Sequence, residues 1–171
     1  MPTLCGQPCL ACRRVAKLLS LTAGKLAERE RLWGPAIADA MRELGVPAVW
    51  GLAIARHESS FRPEACNLTN GDGARGGAWG LFQMTFKTAQ GLGYLGEPSG
   101  LLVPPVNIDL AAMLLARLTI PYKTLRDVAA AYNSGKPFAS APESTRLKYV
   151  PRIIALTEQY AARSDLLSMR A

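Results

Sequence analysis

Among the residues able to move a proton, Glu58 is marked out by what surrounds it. It lies near the end of Val46 to Phe61, VPAVWGLAIARHESSF, a short and largely apolar stretch that reads as one helix. A carboxylic acid serves as a general acid near neutral pH only when its pKa is raised, and an apolar pocket does this by penalising the charged form. Phe61, Trp79 and Phe82 are close to Glu58 in sequence, and a helix C-terminus adds the negative end of the macrodipole, which also disfavours a carboxylate. The competing reading is a solvated glutamate at a helix end, the common fate of that residue type. His57, the single histidine, is tempting as a base. Neighbours on a helix diverge by about 100°, so it is expected to face away and support packing.

Three downstream segments bear on the choice. Glu58-Ser59-Ser60-Phe61, then Gly80-Leu81-Phe82-Gln83, then Ala131-Tyr132-Asn133-Ser134-Gly135 resemble, in this order, the motifs of lytic transglycosylases with the soluble-type (SLT) catalytic domain. A fourth segment, Pro142-Glu143-Ser144-Thr145-Arg146 followed by Tyr149-Val150, resembles the C-terminal motif of that family. The resemblance runs from about Val46 to Tyr160, and four ordered motifs are far more specific than one. It implies a lysozyme-like helical fold and cleavage of the β-1,4 bond between N-acetylmuramic acid and N-acetylglucosamine in peptidoglycan, without water. Glu58 would give a proton to the leaving oxygen and then take one from the muramic acid C6 hydroxyl, leaving a 1,6-anhydro sugar. Gln83 would bond sugar or N-acetyl groups, Tyr132 would orient Glu58 or support developing charge, and Asn133 would bond sugar or hold its turn. Ser59, Glu143 and Tyr149 complete the expected substrate-binding set, the last two on the far wall of the cleft. For Tyr132 and Tyr149 a core tyrosine with a satisfied hydroxyl is the alternative.

The loop between Glu58 and Gln83 is longer than is usual in that family and carries Asp72 in NGDGARGG. That arrangement resembles goose-type lysozymes, in which a loop aspartate helps position water for hydrolysis. Where those enzymes place a second carboxylate, just beyond the glutamine motif, this chain has Thr85. Asp72 is therefore a catalytic partner, a sugar contact, or a turn-former among glycines. Ordinary glycosidases use two carboxylates, so the rival activity is a hydrolytic muramidase using Asp72. A third reading is a non-catalytic carbohydrate-binding or virion structural module.

The elements that must position these residues read as mainly α-helical. From Arg13 to Leu44, apolar residues recur at helical spacing between basic ones, which predicts a basic amphipathic helical pair with a solvated face. Gly45 ends it and Pro47 opens the next helix. Helices are also expected over Asn107 to Leu118, over Leu125 to Tyr132, and from near Ser144, where Pro151 implies a late start or a kink. The expected organisation is a Cys-containing, basic N-terminal segment over 1–44, a lysozyme-like catalytic domain over 45–163, and a tail over 164–171.

Cys5, Cys9 and Cys12 are spaced C-x3-C-x2-C, like the cluster ligands of radical enzymes that use S-adenosylmethionine, but no alternating strand–helix barrel follows. With Cys66 they would supply four ligands to zinc or to an iron–sulfur cluster, at a wide separation. Disulfides or free thiols are the preferred reading, and no metal or cofactor is expected.

The 171 residues are 49% hydrophobic and 19% charged, enough for one domain with a real core. The net charge of +7 attracts polyanions. Charge does not choose among them; the resemblance implies peptidoglycan as the partner, and without a nucleic-acid docking motif specific nucleic-acid binding is not expected. No apolar run is long enough for a transmembrane span, and no secretory signal pattern opens the chain. This suits a phage virion or tail enzyme acting in the periplasm or cell wall, with a bacterial envelope protein as the alternative and phage virion or tail proteins as further partners.

Overall fold

The structure, a computed structural model, describes residues 26–68 and 77–163. Cys5, Cys9, Cys12, Asp72 and the 164–171 tail lie outside the described residues.

Helix α1 (Leu26–Glu43) leads through a turn ended by Gly45, at φ 71°, into α2 (Ala48–Ser59). Pro47 precedes the first turn of α2, where the absent N–H costs nothing. Because apolar residues lie all round the middle of α2, that part is buried: Leu52, Ala53, Ile54 and Ala55 are at most 1% exposed. Helix α1, α4 (Pro104–Thr119) and α6 (Val150–Ala161) pack round it. Gly51 lets α1 approach closely, since a Cβ there would lie 2.6 Å from Cγ of Met41. The helix expected to belong to a separate N-terminal segment therefore supplies Ile37, Ala38 and Met41 to the common core.

Between α2 and α4 lie three two-residue strands, β1 (Cys66–Asn67), β2 (Ala78–Trp79) and β3 (Met84–Thr85), in an antiparallel sheet of order β1-β2-β3. Asn67 pairs with Ala78, and Ala78 with Thr85. Strands this short carry no readable alternation. Helix α3 (Phe86–Gly91) follows, capped by Thr85, whose hydroxyl accepts from the Thr88 N–H. A 3₁₀ turn (Pro98–Leu102) then feeds α4, which starts three residues earlier than its apolar pattern suggests because two prolines occupy its first turn.

Helix α5 (Leu125–Ser134) is capped by Thr124 and closed by Gly135 in the left-handed region. A second 3₁₀ turn, Phe138–Ser140, leads to the last helical run. That run begins at Glu143, widens to a π-turn over Thr145–Tyr149 and continues as α6. Pro151 does not delay the helix; the wide turn before it absorbs the misfit. The architecture is a mainly α-helical bundle round α2, with the small sheet flanking the C-terminal end of that central helix.

Candidate active site

Helix α2 ends beside a cleft of about 400 Å³ lined by His57, Glu58, Asn67, Ala78, Gln83, Thr85, Tyr132 and Asn133. Its termination sets the direction of Glu58. Ser60 and Phe61 both take positive φ, 55° and 58°, and their N–H groups return to the carbonyls of Arg56 and Ala55. Each left-handed non-glycine residue costs roughly 1–2 kcal/mol, so other bonds must hold the turn. Ser59 supplies them: its buried hydroxyl donates to the Leu81 carbonyl at 2.8 Å and accepts from the Arg62 N–H at 3.1 Å. From α1, Arg29 Nε donates to the Ser60 carbonyl at 2.9 Å.

The opposite lip is the Gly80–Gln83 turn. Gly80 sits at φ 75°, and a Cβ there would lie 2.5 Å from the Leu101 carbonyl oxygen, so no other residue fits. Asn107, fully buried in the first turns of α4, ties this turn down. Its Oδ1 accepts from the Phe82 N–H, and its Nδ2 donates to the Trp79 and Leu101 carbonyls, each at 2.9 Å. Gln83, held at φ 47°, donates through Nε2 to the carbonyls of Gly80 at 3.0 Å and Ala65 at 3.2 Å. Both amide protons are thereby engaged, which leaves its Oε1 as an acceptor for a ligand.

The Tyr149 hydroxyl donates to Oε1 of Glu58 at 2.7 Å. Burial pushes the Glu58 carboxyl up to about 7, against the opposing effect of that hydrogen bond. The Tyr132 hydroxyl donates instead to the Phe82 carbonyl at 2.7 Å, joining α5 to the glutamine turn. Burial, then the Glu58 charge, raises both phenols well above their ordinary value, so they stay donors. The His57 ring meets the Tyr149 ring edge-on, 4.9 Å between centroids. Burial, then Arg152, lowers the imidazole below its ordinary value. Asn133 is held by Thr145, whose hydroxyl donates to its Oδ1 at 2.7 Å. Among the described lining residues Glu58 is the one carboxylate.

The transglycosylase SLT domain profile matches residues 35–146, about two thirds of the chain. The chain belongs to the transglycosylase SLT domain family. Among solved structures it is similar to an inactive mutant of the lytic transglycosylase Slt from Pseudomonas aeruginosa, with a TM-score of 0.55 and 23% identity over 76% of this chain and 24% of that one. The chain thus spans about a quarter of that protein's length, and the likeness is one of fold. No curated protein matches the chain.

Within this SLT domain, Glu58, Gln83, Tyr132 and Asn133 come together at one cleft, as their motifs suggest. Four expected residues stand differently. Ser59 is 2% exposed and bonded wholly to protein, so it braces the turn rather than meeting a substrate. Glu143 is exposed and is not among the cleft-lining residues. The hydroxyl on Glu58 is that of Tyr149, with Tyr132 turned to the glutamine lip. His57 does not face away: it lines the cleft, because at the end of a helix neighbouring side chains can border the same opening. Asn107 went unread at sequence level, although an asparagine between apolar residues of a helix is a signal in itself, since buried amides are placed to bond backbone.

Cys66 lies exposed on β1, and no group of three or more His, Cys, Asp or Glu residues able to hold a metal occurs among the described residues. Among those residues no helix is long and apolar enough to cross a membrane.

Proposed function

We propose that this SLT domain is a peptidoglycan lytic transglycosylase in which Glu58 acts first as acid and then as base. One observation carries the reading. A carboxyl that titrates near 7 is aimed into a polar cleft by a tyrosine hydroxyl. A group poised near the working pH can both give and recover a proton.

The neutral Glu58 protonates the N-acetylglucosamine oxygen as the bond to muramic acid C1 breaks, and positive charge develops on the sugar ring. The resulting carboxylate, steadied by Tyr149, removes the proton from the muramic acid C6 hydroxyl. That oxygen closes on C1, giving a 1,6-anhydromuramic end and returning Glu58 to its neutral form. Neither water nor a metal takes part. The Gln83 amide oxygen and Asn133 supply polar contacts to the sugar N–H and hydroxyl groups, and the net charge of +7 favours approach to an anionic wall polymer. We place the enzyme in local wall penetration by a phage particle, a setting tested by mass spectrometry of purified particles.

Digestion of purified peptidoglycan followed by mass spectrometry of the released muropeptides tests the chemistry. Anhydromuramic ends, absent with Glu58→Gln, are the expected result. Reducing muramic ends that disappear with Asp72→Asn would identify a hydrolase and overturn the proposal.

A further inference from the structure

The backbone is helical without interruption from Glu143 to Ala161, yet Pro151 lies well inside that run. A proline there has no N–H to give, and its ring collides with the carbonyl four residues back, here that of Leu147. It also disfavours the α conformation in the residue before it, and Val150 nonetheless sits at φ −59° and ψ −47°. One turn earlier the hydrogen-bond pattern changes: the Val150 N–H reaches the Thr145 carbonyl, five residues back instead of four. Such wide turns recur at functional sites. This one carries Thr145, bonded to Asn133, at its start and Tyr149, bonded to Glu58, at its end. Both cleft contacts made by this helix therefore depend on the extra residue in the turn, because restoring four-residue spacing rotates Tyr149 relative to Thr145.

We propose that Pro151 is a positioning residue: by excluding an ordinary α-turn before it, it holds the wide turn Thr145–Tyr149 that brings the Tyr149 hydroxyl to Glu58. Pro151 itself is exposed and does not line the cleft, so its effect on the reaction is exerted through Tyr149. The inference rests on the reading of Glu58 as the catalytic acid, and its test can be read without turnover. Among the described titratable groups, Tyr149 bonds Glu58, Tyr132 and Tyr149 feel its charge, and His57, itself acted on by Arg152, lines the same cleft.

The full chain, labelled with ¹³C at glutamate side-chain carboxyls, gives the Glu58 titration directly, assigned by its loss in Glu58→Gln. The wild-type midpoint is expected near 7. Tyr149→Phe removes a bond that favours the carboxylate and should move the midpoint roughly one pH unit higher. Pro151→Ala should move it in the same direction, and the pair Pro151→Ala/Tyr149→Phe no further than Tyr149→Phe alone. The alkaline limb of muropeptide release should follow the same order. Pro151→Ser serves as the second variant, with helicity checked by circular dichroism. A Pro151→Ala protein that titrates with wild type, or a double variant whose shifts add, overturns the inference. Persistent cleavage by Glu58→Gln instead overturns the catalytic reading and leaves the titration result standing.

Discussion

In the proposed reaction, Glu58 has to hold a proton until the glycosidic oxygen takes it, and hold a negative charge while the C6 hydroxyl gives its own up. Burial favours the first state and the Tyr149 bond the second, and the balance lies at about 7. Activity on peptidoglycan should therefore fall as pH rises past about 7, tenfold per unit once the acid form is the minor one. The same balance appears in stability. A carboxyl whose folded pKa lies above its unfolded value stabilises the fold fully below pH 4.5, and that contribution is lost as pH rises through about 7. Glu58→Gln should thus be more stable than wild type at pH 8.5, by up to about 3 kcal/mol, with the gap shrinking toward pH 4. Denaturant melts across that range check the sign. A gap that widened toward acid would mean that the folded state favours the charged form. At this scale the sequence was informative about which residues gather, since Glu58, Gln83, Tyr132 and Asn133 line one cleft. It was less informative about partners: which tyrosine reaches Glu58 depends on a rotation accumulated through the π-turn, and the 3.6-residue period used to read helices does not contain it.

The site is built from element ends, and the bonds that fix those ends are buried. Asn107 is the clearest case, with three bonds from one amide to the backbone of the glutamine turn and of the 3₁₀ turn before α4. Replacing it with leucine orphans one N–H and two carbonyls at about 1–3 kcal/mol each, so Asn107→Leu should lose about 3 kcal/mol or more. A urea melt at pH 5, where Glu58 is neutral in both proteins, isolates that loss. Arg29 acts at the other lip. Arg29→Ala frees the Ser60 carbonyl and should loosen the two-residue left-handed turn, lowering kcat severalfold with little change in KM, because Arg29 is not among the residues lining the cleft. A rise in KM with kcat unchanged would show that the turn shapes binding rather than the acid. The helices were legible because their apolar residues recur at regular intervals. The sheet was not, because two-residue strands leave no alternation to read, and the burial of Ser59 was not, because its polarity argues for exposure until the Leu81 carbonyl is seen beside it.

Across the whole molecule, α1 decides whether the catalytic unit stands alone. Its basic residues suggested a solvated appendage. Its other side is core: Ile37 and Met41 are fully buried, Gly34 lies against Leu52, and Glu30, 5% exposed, pairs with Arg163 beyond α6 at 2.6 Å. Arg56 and Arg163 flank the Tyr160 ring in the same cluster, so α1, α2 and the end of α6 meet in one partly buried polar junction. Burying an isoleucine and a methionine contributes about 1.5–3 kcal/mol each, and breaking a partly buried ion pair costs about 1–3 kcal/mol when one side is open to water. Together these approach the 5–15 kcal/mol on which a domain of this size depends. A chain cut to residues 26–163 should therefore melt cooperatively and release muropeptides. One cut to 45–163, the unit suggested by the motifs, should lack a cooperative transition even though it keeps Glu58, Gln83, Tyr132 and Tyr149. Arg163→Ala within the longer chain should melt earlier without altering the pH at which activity falls, because its partner Glu30 is remote from the cleft lining. If 45–163 folded and cut peptidoglycan, α1 would be an accessory after all, and the bracing of Ser60 by Arg29 would have no part in catalysis.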